Sequence, residues 1–72
     1  MKIEEALRAL EDVRGKLTEA RNAILELHAN TDHEALDAVL SRAVSSICRA
    51  MACVRSACSI VRTAQDIGLE EV

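Results

Sequence analysis

Apolar residues recur along this chain at alternating spacings of three and four. They read Ile3, Ala6, Leu10, Val13, Leu17, Ala20, Ile24, Leu27, and then Leu36, Leu40, Ala43, Ile47, Ala50, Val54, Ala57, Val61, Ala64. Each residue of an α-helix advances about 100° around the axis, so this rhythm keeps one apolar seam on one face. A strand would need a period of two. Composition points the same way: there is no Pro, Phe, Tyr or Trp, and only two Gly occur in 72 residues. Strands favour aromatic and β-branched residues and tight turns need Gly or Pro, so the chain reads as all-α.

Between the two seams lies Ala29-Asn30-Thr31-Asp32-His33-Glu34. Thr31 with Glu34 three residues on predicts a capping box that starts the second helix near Asp32. Asn30 is expected to take the left-handed conformation that closes the first helix, and His28 suits that helix's negative end. So short a connection makes the helices antiparallel neighbours. The expected layout over residues 1–72 is one hairpin domain: helix 1 about 2–29, a turn at 30–31, helix 2 about 32–67 and a frayed tail over 68–72. Gly68 should end the second helix, with Leu69 folding back in a Schellman-type cap.

The second helix is apolar over more than its seam. Val44, Met51 and Cys58 flank one side, and Val39, Cys53, Ile60 and Ile67 the other. That arc is wider than one neighbouring helix covers. A chain this short also seldom builds a self-sufficient core. A homodimeric four-helix bundle follows, with Val44, Ile47, Ala50, Met51, Cys53, Val54, Ala57 and Cys58 as its expected oligomer interface. This plan resembles the Rop-type plasmid RNA-binding hairpins, and the resemblance covers the hairpin layout alone. Their RNA-contacting face is basic and polar around an aromatic. Here the corresponding face carries Glu4, Glu5, Glu11, Asp12, Glu19 and Glu26, and no aromatic exists.

The formal net charge of −3 speaks against nucleic acid as the main partner. No aromatic is present to stack on bases and no Gly-rich loop to cradle phosphate, and no cofactor is expected. No uninterrupted apolar run reaches the ~18–20 residues of a membrane span. Glu4 and Glu5 stand where a signal peptide would turn apolar, so a cytoplasmic protein with reduced thiols is expected. Cys48, Cys53 and Cys58 are five apart, so each is rotated about 140° from the last, and they read as packing residues rather than as one metal or redox site. His28, His33, Asp32 and Glu34 are four possible metal ligands around the turn, but their capping roles already explain them and no metal is expected. No Ser or Cys has a predictable base, so no enzyme is expected.

Residues 38–65 hold Arg42, Arg49, Arg55 and Arg62 and no acid. Three readings compete: a solvated face, structural ion pairs, or a site for an anion or acidic partner. With paired positions adding to about 61, Arg42 would meet Glu19 and Arg49 would meet Asp12. On the same register the second helix overhangs the first and presents Arg55 and Arg62 beside Ile60, Ile67 and Leu69, the expected partner surface. The function expected is recognition by a small adaptor, regulator or inhibitor that binds itself and another protein. Its size and composition suit a phage or mobile-element product acting on a host factor. The alternatives are a nucleotide or oligoanion binder built on interface arginines, or Rop-like binding of structured RNA.

Overall fold

The computed structural model describes residues 1–71 and contains two helices, α1 over Ile3–Asn30 and α2 over Glu34–Asp66. They pack against one another as an antiparallel hairpin measuring 53 × 14 × 14 Å. At ~1.5 Å per residue α2 alone accounts for that length. The all-helical hairpin expected from the heptads is therefore present, with helix ends within two residues of those expected.

The turn is built differently from the expected capping box. The Thr31 hydroxyl accepts from the His33 backbone N–H at 3.2 Å, two residues on, instead of serving Glu34. The cap is His33, whose Nδ1 accepts the Leu36 N–H at 3.3 Å, so α2 starts at Glu34. Asn30 does not turn left-handed. Its side-chain amide donates to the Glu26 carbonyl at 2.8 Å, and Thr31 leads out in extended backbone. Both departures have one cause: short polar side chains satisfy the free backbone groups at helix ends in several alternative ways.

The other end forms as expected. Gly68 has φ +89°, Leu69 N–H donates to the Ala64 carbonyl at 3.0 Å, and Gly68 N–H to the Gln65 carbonyl at 3.1 Å. That is a Schellman cap. The chain beyond it is engaged rather than frayed. The Glu70 carbonyl accepts the Ile3 N–H at 2.9 Å, and Lys2 pairs with Glu71 in an isolated antiparallel bridge. α1 has no side-chain cap at Lys2, so this returning tail satisfies one of its free N–H groups. Val72, the last residue of the expected frayed tail, lies outside the described residues.

The covered band keeps the expected α2 seam from Leu40 to Ala64 and widens it by one stripe, whereas on α1 it is rotated by one stripe from the sequence reading. On α1 the covered residues include Ile3, Leu10, Leu17 and Ile24 with Leu7, Arg21 and His28, while Val13, Ala20 and Leu27 are exposed. On α2 they are Leu40, Ile47, Val54 and Val61, with Val44, Met51 and Cys58 on one side and Ala43, Ala50, Ala57 and Ala64, half-buried, on the other. α2 thus covers the stripes on both sides of its central one, while α1 turns Leu7, Arg21 and His28 inward and leaves Val13, Ala20 and Leu27 out. Cys58, 3% exposed, joins Ile3 and Ala6 as the buried apolar residues. Of the residues expected at the oligomer interface, Val44, Ile47, Met51, Val54 and Cys58 are used inside the hairpin. Ala50 and Ala57 are half-buried, and Cys53 is exposed.

Candidate interaction surface

Pairing across the hairpin fixes what each surface carries. His28 meets Ser41, Glu11 meets Arg62 and Ile3 meets Glu70, so facing residue numbers add to about 70 rather than 61. Arg62 consequently does not overhang: its Nη2 donates to Glu11 Oε1 at 3.1 Å. Asp12 is engaged along its own helix, accepting from Lys16 Nζ at 2.9 Å, a hydrogen bond and charge that raise the Lys16 pKa above its ordinary value. The pairs expected between Arg42 and Glu19 and between Arg49 and Asp12 are not made within the hairpin.

Residues seven apart form near-straight stripes along such helices. Ala6, Val13, Ala20 and Leu27 form one on α1, and Leu36, Ala43, Ala50, Ala57 and Ala64 one on α2. Both lie on the same rotational side of their seams. Because the helices run in opposite directions, that places both stripes on one broad face of the hairpin. The Glu11–Arg62 pair marks the other broad face. The first face continues around α2 to Val39, Cys53, Ile60 and Ile67. Leu27 is 60% exposed, Val39 58%, Ile60 70% and Ile67 72%. Monomeric proteins rarely show so long an apolar strip.

The expected partner surface is divided by this geometry. Ile60 and Ile67 belong to the apolar face, whereas Arg55 and Arg62 form a stripe on the far side of α2. Leu69 sits in the returning tail, half exposed. The two narrow edges of the hairpin carry opposite charge. Glu5, Asp12, Glu19 and Glu26 run along the outer edge of α1, and Arg42 and Arg49 along that of α2. Among the described residues Arg42, Arg49 and Arg55 make no ion pair. A shallow recess of about 400 Å³ beside Arg42 and Arg49 is lined by Ser41, Ser45 and Ser46.

Near the turn, His28 Nε2 lies 2.8 Å from Asp37 Oδ1 and 3.1 Å from Ser41 Oγ. A Ser–His–Asp relay needs serine and carboxylate on opposite ring nitrogens. Here one nitrogen serves both, so the cluster ties α1 to α2 and does not activate the serine. His33 is occupied as the cap of α2, and among the described residues no three His, Cys, Asp or Glu side chains converge as metal ligands. Sequence reasoning missed Arg21 and His28 as seam residues. Their signal was the stripe Leu7, Arg14, Arg21, His28 beside the α1 seam. The Arg21 stem lies against the hairpin with its Nε buried and unpaired, and its Nη2 donates to Asn22 Oδ1 at 3.4 Å. α2 also has the length and mean hydropathy of a membrane-crossing helix. Its mid-helix Arg49 and Arg55, on different faces, would each cost about 2.5–3.5 kcal/mol on insertion scales. No family model, curated protein or solved structure matches the chain.

Proposed function

We propose that this protein is a non-enzymatic binding module that pairs with a second copy of itself as a four-helix bundle and, as that dimer, binds another protein. The observation that carries this reading is the single apolar face spanning Leu27, Val39, Ile60 and Ile67. The hairpin's accessible surface is 5370 Å². A compact protein of 7.8 kDa exposes ~4,400 Å². The excess is of the size that each partner buries in a standard interface, ~800 Å². Light scattering at micromolar concentration should give a dimer, and Leu27→Glu, which places a charge on that face, should give a monomer. A cooperatively melting wild-type monomer at those concentrations would overturn the reading.

One observation favours a second reading, an oligoanion site: Arg42 and Arg49 are free of acids within the hairpin and border a serine-lined recess. Salt separates the two. Phosphate binding should weaken steeply from about 50 to 200 mM salt, whereas an apolar protein interface should hold. Polyphosphate titrations at both salt concentrations, monitored calorimetrically, test this second reading directly.

A further inference from the structure

We propose that the second copy packs with its turn at the same end of the bundle, so that α1 of each hairpin lies on α2 of the other. The inference rests on the dimer proposed above and adds its orientation. Two twofold arrangements bring the apolar faces together. With the dyad along the helices, each α1 covers the partner's α2 and both turns share one end. With the dyad across the helices, α1 covers α1, α2 covers α2, and the turns lie at opposite ends.

Charge separates the two. The acidic edge of α1 and the arginine edge of α2 each lie about 90° around their helix from the apolar face, near the flanking positions where bundle helices form ion pairs. A rotation about an axis along the helices leaves every height unchanged, so the levels inside the hairpin also apply between subunits. Facing numbers add to about 70 in the hairpin. Glu19 therefore stands level with Arg49 of the partner subunit, and Glu26 with the partner's Arg42, each within ~3 Å along the axis. Symmetry gives each pair twice. In the other arrangement the same edges oppose acid to acid and arginine to arginine.

Packing agrees. At those levels Leu27 falls on the partner's Ala43 and Val13 on the partner's Ala57, large against small, alternating with Ala20 on the partner's Ala50 and Ala6 on the partner's Ala64. Both helix–helix contacts are then equivalent and share one spacing. The crossed dyad would instead pack α2 on α2 with alanines on both sides, while the α1 on α1 contact holds Val13 and Leu27 on both sides as well as Ala6 and Ala20. One hairpin would have to meet two spacings at once.

The single charge reversals Glu19→Arg and Arg49→Glu read out the orientation. Each should weaken dimerisation by ~5–20-fold in sedimentation or dilution assays at low salt, and the double variant should return to within ~2-fold of wild type. Tightening by either single reversal would overturn the proposal, because it would mean relief of like-charge contact. Failure of the double variant to recover would overturn it as well. Spin labels at Asp32→Cys, with Cys48→Ser, Cys53→Ala and Cys58→Ala, give a second measure. The label separation should be ~10–25 Å, one or two helix diameters. A separation near the 53 Å hairpin length would place the turns at opposite ends. A wild-type chain that stays monomeric would instead overturn the dimer itself, a distinguishable result.

Discussion

The two glycines sit in opposite situations and should answer the same substitution with opposite signs. Gly15 lies in the interior of α1, exposed, with nothing within 4 Å of an added Cβ. Gly15→Ala removes backbone freedom from the unfolded chain and adds helix propensity, a gain of up to ~1 kcal/mol. Gly68, at φ +89°, adopts a conformation that L side chains rarely take, so Gly68→Ala should lose roughly 1–2 kcal/mol despite equally open surroundings. Urea melts of both variants check the pair. The role of Gly68 was legible in the sequence, because a glycine just past a periodic helix has one common use. The turn was not. Thr31, His33 and Asn30 each offer several local hydrogen bonds of similar worth, and tertiary geometry chooses among them.

At the level of elements, the two helices and their antiparallel course follow from heptads and a short connection, and both were legible. The width of the seam was less legible, because α2 carries apolar side chains at adjacent positions and the hairpin covers both of each pair: Ala43 and Val44, Ala50 and Met51, Ala57 and Cys58. On α1 periodicity favoured Val13, Ala20 and Leu27, yet Leu7, Arg21 and His28 turn inward, a choice that periodicity alone cannot make. The pairing register was illegible for a related reason. It depends on where the turn reverses the chain and on how the two helices slide past each other. The α2 start at Glu34 accounts for a small part of the shift, and the pairs His28–Ser41 and Glu11–Arg62 lie well beyond it. The returning tail is the element that sequence reasoning treated as free. Its Glu70 carbonyl holds the Ile3 N–H, and Ile3 is 2% exposed. Truncation after Gly68 should therefore fray the first turn of α1 and speed amide exchange at residues 3–6, leaving the middle of the hairpin protected. Unchanged exchange at Ile3 would show that the tail contact is not needed for that turn.

For the whole molecule, the decisive quantity is how little a single hairpin buries. Ile3, Ala6 and Cys58 are its buried apolar residues, and its radius of gyration is 16.2 Å. A compact chain of this length would have a radius of ~11 Å. Two helices in contact cover only the arcs that face each other, so Val13, Leu27, Val39, Ile60 and Ile67 stay exposed with no partner within the hairpin. If a second copy supplies it, folding and association become one equilibrium, and stability depends on protein concentration. The melting temperature should then rise with each tenfold increase in concentration. Leu27→Glu should remove that dependence and lower the melting temperature, because the cost of desolvating its carboxylate opposes association while the exposed position leaves the hairpin seam untouched. Val44→Ala makes the complementary change: it thins the seam inside the hairpin, by ~1–3 kcal/mol, and leaves the outer face intact. Its melts should shift down at every concentration while keeping the wild-type slope. Scanning calorimetry over a hundredfold concentration range distinguishes the two variants. A concentration-independent wild-type melt would mean that the hairpin is stable alone and that its apolar face is kept for a different partner.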